Sequence, residues 1–551
     1  MQNITLSIGK AGIDFFIQQL LADRILALVG QLSPPDKSFH FDLFTVDGYS
    51  KAENINIQLT QGKMLGLEPV FQSIVQQPNG VFIFNLQTSG PFKAQYQWTE
   101  GYWWISCSLA VGIIVCEPGQ QINNTYTYTP DFSQLYVGIP LVFSFNAAQQ
   151  QWQFAAGTAT TKPVVAQPNI PGDSILNNQD QGFLSSWIDP ATAEALASLD
   201  YAQLINNLLG GMIGSIPDSG NLGNDIVFDF SLGDSGLLFP NNDGIQIGVK
   251  GGASYKGTSF PGAPGPALPL PVPPADNDPH HLNLFLSNYE FDALNWAFFQ
   301  SGQLNAVVNA DELPNPNILK VNTYVGMESA LAPYKNFVMQ ARIVQNAAPT
   351  TAFQTVYELN TTAMAALQQA LPQNVYSLLD NNLQGNNYVT QSALENDLSS
   401  IGIAASYFET IEKACQSMGV VVSHDIRYTL TIQNNQPDAP EIVFDVKRTD
   451  VLANLVLGIG DNQCQTLQFS FQQVNWQSTF LSSTVPNFDG SMFPATWNVV
   501  GETEYVTLLQ KLGATGVPLP MMNGLQFDFA NVQISLNQGY VGILANVKLK
   551  N

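Results

Sequence analysis

Alternating apolar and polar positions open the chain: Ile4, Leu6 and Ile8 are separated by Thr5 and Ser7, the period of a strand with one buried face. A small residue, Gly9, follows where a helix N-cap belongs. From there Ile13, Phe16, Ile17, Leu20, Leu21, Ile25 and Leu28 recur at helical spacing and predict an amphipathic helix of about five turns. The same design returns later. Leu282–Asp292 aligns with Ile4–Asp14 without a gap, at a constant offset of 278 (282 − 4). Ser287 is the expected N-cap, Glu290 its capping-box partner, and Leu286 with Phe291 a hydrophobic staple, as are Ile8 and Ile13. Phe291, Leu294, Phe298 and Phe299 then form the second apolar stripe.

The ends of the two copies also correspond. Val227-Phe-Asp-Phe precedes the alternating run Gly244–Lys250, and Gln526-Phe-Asp-Phe precedes Tyr540–Lys548. Strand-like stretches fill the first copy, among them 54–59, 81–86 and 141–145, while the apolar run Ile105–Cys116 is too short to span a bilayer and reads as a buried strand. Helices are expected at 190–209 and, as an insertion in the second half, over about 355–417, including Met364–Leu371 and Ser392–Ile401. Between the halves, Phe260–Pro279 is so proline-rich that it reads as a semi-rigid linker. The expected division is therefore 1–259, a linker at 260–280, and 281–551, in an α+β chain whose repeated unit is helix, sheet and closing strands.

Charge changes the list of partners. With 19 Lys and Arg against 43 Asp and Glu the net charge is −24, so nucleic acid meets repulsion and docking on anionic lipid lacks its basic cluster. Any membrane contact has to be apolar. The N-terminus has no basic region before its apolar run, so the chain is either cytoplasmic, exported by a non-standard route, or extracellular and already processed.

Candidate chemistry is sparse. Cys107, Cys116, Cys415 and Cys464 contain no Cys-x-x-Cys pair and read as buried free thiols. His40, His280, His281 and His424 are scattered, and the adjacent pair reads as a solvated loop pair. Asp380-Asn-Asn-Leu-Gln-Gly385 has a calcium-loop spacing, but Gln391 stands where a bidentate Glu is needed, so a plain interhelical turn is expected. The common hydrolase, nucleotide and dinucleotide signatures are absent. These residues call for no cofactor and no metal.

Three pieces resemble the tubular lipid-binding superfamily of bactericidal/permeability-increasing protein, lipopolysaccharide-binding protein and cholesteryl ester transfer protein. They are Ile8-Gly-Lys-Ala-Gly-Ile-Asp-Phe15, Leu284-Phe-Leu-Ser-Asn-Tyr-Glu-Phe291, and the tail Gly516-Val-Pro-Leu-Pro520 with the two runs that follow it. The resemblance implies two tandem pseudo-symmetric barrels, each a long amphipathic helix wrapped by a strongly curved antiparallel sheet, joined by a central sheet into a boomerang. It implies non-enzymatic binding, and transfer, of phospholipid, fatty acid or similar apolar ligands. Ile13, Phe16, Ile17, Leu20, Leu21, Phe291, Leu294, Phe298 and Phe299 would line the pockets. The chain departs from its cationic, endotoxin-binding members in being acidic, and 190–214 lacks the cysteine of the vertebrate disulfide, while the expected helical insertion over about 355–417 and the missing signal peptide point to a distant, bacterial member. A rival reading keeps the fold but fills the pockets, making a protein-interaction module or an accessory component of a toxin complex.

Overall fold

The structure is a computed structural model; it describes residues 3–549 apart chiefly from 17–32, 147–150, 162–170, 176–218, 240–243, 264–267, 460–464, 492–504 and 521–524. It is a strand-dominated α+β fold in two compact units. One unit comprises Met1–Lys10, Ile216–Leu238 and Ile245–Asn551, the other Ala11–Ser215 and Phe239–Gly244.

The first unit contains a six-stranded sheet with the order Leu232–Leu238, Gly244–Val249, Ile4–Gly9, Leu282–Ser287, Tyr540–Leu549 and Leu525–Asn537. Its two middle strands are the two aligned segments, paired antiparallel. Leu6 lies opposite Leu284, the residue 278 places further on, with Ile4 opposite Leu286 and Ile8 opposite Leu282. A local twofold axis therefore passes between Leu6 and Leu284. The second half's expected closing strands flank its middle strand, but in the first half Gly244–Val249 is followed by Leu232–Leu238, because Ile226–Asp229, expected to close that half, pairs in a separate four-stranded sheet. The proline-rich segment lies along this sheet. The Pro269 carbonyl accepts a hydrogen bond from Thr5 Oγ1 at 2.9 Å, that of Pro271 from Gln246 Nε2 at 2.7 Å and that of Val272 from Ser7 Oγ at 3.1 Å. Thr5 and Ser7 are buried, and the Pro269 and Val272 carbonyls satisfy their hydroxyls.

Two strands of 19 residues, Glu441–Ile459 and Gln465–Ser483, dominate the eight-stranded sheet of the same unit. Their register shifts at three points, Val443/Phe444, Thr449/Asp450 and Ala453/Val456, and each irregularity adds bend and twist. The sheet curls into a half-barrel. Helix α1 (Lys10–Phe16) and helix α2 (Asn288–Gln300) each follow one middle strand directly. Helices α3 (Thr361–Ala370), α4 (Gln373–Leu383), α5 (Gln391–Ser400) and α6 (Phe408–Cys415) form their own small core of Leu367, Leu379, Leu394, Leu398 and Ile411. Asp380 to Leu383 belong to α4, so the spacing that suggested a calcium loop is helix followed by a turn at Gly385 (φ +83°). Cys415 is the buried thiol expected, and burial pushes its pKa up to about 12.

The second unit is built on two sheets. In one, Phe92–Ile105 lies between Lys51–Leu65 and Gln120–Tyr128; in the other, Val81–Thr88 lies between Pro69–Gln77 and Tyr136–Asn146. Alternation places Ile55, Ile57, Leu59, Phe82, Phe84, Leu86, Tyr96 and Trp98 inside. The helix expected at 190–209 lies outside the described residues.

Ile105–Cys116 overturns two expectations. It is not one buried strand but a strand end followed by a hairpin, Cys107–Ala110 with Ile113–Cys116, whose aliphatic side chains are exposed. Cys107 and Cys116 stand directly opposite in that hairpin and form a disulfide. Their nine-residue separation is a cross-strand spacing, which an inventory of zinc and redox motifs does not detect.

Candidate functional site

Helix α2 carries four of the residues expected to line a pocket. Phe291, Leu294 and Phe298 are buried and Phe299 is half-buried. In the first copy Ile13 is buried in α1 and Phe16 ends the described helix, while Ile17, Leu20 and Leu21 lie outside the described residues.

The start of α2 differs from the expected capping box. Ser287 is extended (φ −78°, ψ 164°), yet its hydroxyl makes no capping bond. Glu290 does not turn back to Ser287 but points across to a glycine pair, where its Oε2 accepts a hydrogen bond from the Gly252 backbone N–H at 2.9 Å. Gly251 has φ +71°, and a Cβ there would lie 1.9 Å from Glu290 Oε1, so the close approach needs glycine. Burial pushes the Glu290 carboxyl up to about 8; the Gly252 bond opposes this and nearby Asp229 reinforces it.

Aromatic rings pack both sides of the helix. Phe291 lies 5.7 Å from Phe353 and 6.2 Å from Phe469, and Phe469 lies 5.4 Å from Phe471, centroid to centroid. On the other side Phe260 meets Tyr289 at 5.3 Å and Trp296 at 6.0 Å. A helix covered on two sides is buried nearly all round, which explains why Glu290, Ala293, Trp296 and Ala297 are buried as well as the expected stripe.

Beyond Phe471 the interior becomes polar. Arg448 and Asp450, both buried, form a two-pronged ion pair with N–O distances of 2.7 and 2.6 Å. His424 lies 3.4 Å from Asp450 Oδ2 and 3.2 Å from the Tyr505 hydroxyl, which also bonds Gln345. The Arg448 guanidinium lies 5.4 Å from the Trp476 ring and 5.3 Å from that of Tyr505. Burial, followed by the Arg448 charge, drives the His424 pKa down to about 3, so its imidazole is neutral. Burial also raises the pKa of Asp450, against the opposing effect of Arg448. Among the described residues Arg448 Nη1, Trp476 Nε1 and Gln345 Oε1 find no hydrogen-bond partner. Nearby, Tyr428, Phe444, Val446, Trp476 and Ser478 line a recess of about 10 Å³, room for no more than a single water.

Sequence reasoning missed this cluster, although the signal was present. In Phe444-Asp-Val-Lys-Arg-Thr-Asp450 the inward positions of the strand are Phe444, Val446, Arg448 and Asp450, and on the neighbouring strand His424 falls between inward Val422 and Ile426. The adjacent histidines are also not a solvated pair. His280 is buried with Nδ1 2.6 Å from Asp278 Oδ1, and His281 Nδ1 accepts from the Val547 backbone N–H at 3.1 Å.

In the other unit a buried carboxylate acts as a latch. Glu100 accepts hydrogen bonds from Trp98 Nε1 (3.2 Å), Asn124 Nδ2 (3.2 Å), Ser174 Oγ (2.7 Å) and the Ile175 backbone N–H (3.3 Å), tying 174–175 to the sheet.

No family model matches the chain, and no curated protein does. Over its whole length it is similar to the crystal structure of lipopolysaccharide binding protein, at a TM-score of 0.49 and 11% identity, covering 100% of this chain and 99% of that one. P47 of Clostridium botulinum E1 is matched at a TM-score of 0.23 and 9% identity over 99% of this chain and 98% of that one. Takeout 1 of Epiphyas postvittana is matched at 0.22 and 14% over 36% of this chain and 88% of that one.

Proposed function

We propose that this chain is a lipid-binding protein, not an enzyme, with elongated hydrophobic pockets in two tandem pseudo-symmetric barrels that the central sheet joins into a boomerang. The barrels are 1–259 and 281–551, with 260–280 between them. Each pocket lies beside the helix that follows a middle strand and accepts phospholipid, fatty acid or a similar apolar molecule. The observation that carries this reading is the twofold register of the central sheet, with Leu6 opposite Leu284 and a helix leaving each middle strand. It supports an internal duplication, in which each half presents the same apolar helix to its own sheet. Burying each methylene contributes about 0.8 kcal/mol, so an acyl chain is held without any charged anchor and the acidic surface is no obstacle. Such a site serves for carriage and, with a transient apolar membrane contact, for transfer.

One observation favours a second reading. The rings of Phe291, Phe353, Phe469 and Phe471 occupy the space beside α2, which is what a protein-interaction module with filled pockets requires. Native purification, extraction with organic solvent and mass spectrometry against a mock preparation separate the two. Lipid at near-stoichiometric yield establishes carriage. A protein that is empty and takes up no lipid from vesicles leaves the interaction module.

A further inference from the structure

The hairpin Cys107–Ala110/Ile113–Cys116 forms a two-stranded sheet of its own. Successive side chains of a strand point to opposite faces, so the exposure of Ile113, Ile114 and Val115 in sequence leaves both faces of the hairpin apolar. Leu109 is exposed on the other strand, Ile113 is 68% exposed, and Val111 at the apex is 103% exposed, projecting fully from the surface. An interface with another folded protein covers one face of such a hairpin. A medium that surrounds it covers both at once.

The apex is built against local preference. Val111 and Gly112 take φ of +52° and +79°, the two left-handed positions of a tight hairpin turn. Elsewhere among the described residues adjacent positive-φ positions carry Gly223-Asn224-Asp225, Gly251-Gly252 or Lys256-Gly257, all glycine or polar. A β-branched valine is poorly suited to positive φ, so a polar turn residue would be easier to accommodate at 111 than the apolar one present.

Composition and length match one kind of partner. Residues 101–116, between Glu100 and Glu117, contain no charged side chain. At the base of the hairpin sit Trp103, exposed, and Trp104, half-buried, with Tyr102 edge-on to Trp104 at 6.5 Å. Gln120 and Gln121 lie opposite Trp104 and Trp103, and Gly119 leaves the space that the Trp103 indole occupies. Tryptophan and tyrosine favour the headgroup level of a bilayer, beneath which aliphatic side chains are at home. A four-residue strand reaches about 13 Å, close to the roughly 15 Å apolar depth of one leaflet. The disulfide across the base holds the two strands together as the tip leaves water.

We propose that residues 107–116, with Trp103 and Trp104 at their base, are an insertion hairpin that docks the protein on a lipid surface of zwitterionic headgroups. The hairpin enters one leaflet and the two tryptophans mark the depth at which it stops. The net charge of −24 makes anionic surfaces repulsive, so binding is driven by apolar burial and does not weaken with salt. Docking is independent of cargo: a protein that carries no lipid would dock equally well.

The test uses the full chain, oxidised, and sucrose-loaded phosphatidylcholine vesicles, with bound protein measured after sedimentation. Wild type is expected to bind, with no loss at high salt. The double variant Ile113→Asp/Ile114→Asp is expected to lose about tenfold or more in partitioning, because two buried aliphatic side chains become charged. Val307→Asp, an exposed aliphatic on the other unit, serves as the control and is expected to bind like wild type. Circular dichroism and melting temperature confirm that both variants are folded. Absence of wild-type binding, equal binding by the double variant, or equal loss in the control each overturns the proposal. A dimer in solution that the double variant dissolves, without vesicle binding, overturns it in favour of self-association. Lipid extraction before and after exposure to vesicles reads carriage separately, so a protein that is empty and takes up no lipid, yet still sediments with vesicles, sinks the carrier reading and leaves the hairpin proposal standing.

Discussion

Two regions of this chain invert the ordinary sorting of side chains, in opposite directions. In the half-barrel of the first unit a charged pair, Arg448 and Asp450, is fully buried beside Phe471, His424 and Tyr505. In the second unit Leu109, Val111, Ile113, Ile114 and Val115 stand in water on a hairpin. The first inversion is tied into a network, and removing one partner leaves the other stranded. The second is held only at its base, by the disulfide and by Ser50 on the Cys107 backbone, and truncating any one of its exposed side chains uncovers no core. A buried polar group is thus held by the fold, whereas an exposed apolar group has little to do with folding and bears on what the surface meets.

Cutting the buried pair on one side should have the largest effect. Arg448→Ala leaves Asp450 charged and unpaired in the interior and is expected to cost about 3–5 kcal/mol, whereas Arg448→Met with Asp450→Leu should recover most of that loss. Thermal and denaturant unfolding of the two variants measures the difference. Equal destabilisation by both would mean that shape, not charge pairing, governs the site.

The Gly251–Glu290 contact should come next. Gly251→Ala puts a methyl against the Glu290 carboxylate at a left-handed position, with an expected cost of about 1–3 kcal/mol in the same unfolding measurement.

Buried titratable groups then shape stability against pH from both sides. The folded Glu290 pKa of about 8 lies above its ordinary value of 4.5, so its contribution is present below 4.5 and is lost as pH rises through about 8. The folded His424 pKa of about 3 lies below its ordinary 6.5, so its contribution is present above 6.5 and is lost as pH falls through about 3. The two slopes oppose each other between 4.5 and 6.5, and the melting temperature should fall on either side of that window. Glu290→Gln should flatten the alkaline limb and His424→Asn the acid limb. An unchanged alkaline limb in Glu290→Gln would remove Glu290 from the account.

The smallest stability effect belongs to the hairpin. Ile113→Asp should change stability by no more than about 0.5 kcal/mol, because an exposed side chain away from the core has few contacts to lose. A larger loss in denaturant unfolding would show that the tip packs on something, and the contrast between the two regions would fail.

Much of the frame was legible before any coordinates. The offset of 278 between Ile4–Asp14 and Leu282–Asp292 is visible because both strand alternation and helix stripe repeat there, and Leu6 pairs with Leu284 at that spacing. The inward Arg448 and Asp450 share the parity of Phe444 and Val446, but charged residues ordinarily lie at the surface, so parity alone does not mark them as buried. Ile105–Cys116 failed for the converse reason: an apolar run reads as buried, and Gly112 alone does not announce a turn whose other residue is valine.

The sequence by itself determined the periodic features, namely which stretches are strand or helix, which face of each is apolar, and that the opening segment returns after a proline-rich interval. Those depend on neighbours within a few residues, and hydrophobic period records them directly. Only the tertiary structure decided that Glu290 reaches Gly252 and not Ser287, that Phe353 and Phe469 close on Phe291, that His424, Tyr505 and Trp476 gather round the Arg448–Asp450 pair, and that the aliphatic hairpin is left uncovered. Each is a choice among partners distant in the chain, set by how a bulged, curled sheet brings its faces together, and local period has no term for that distance.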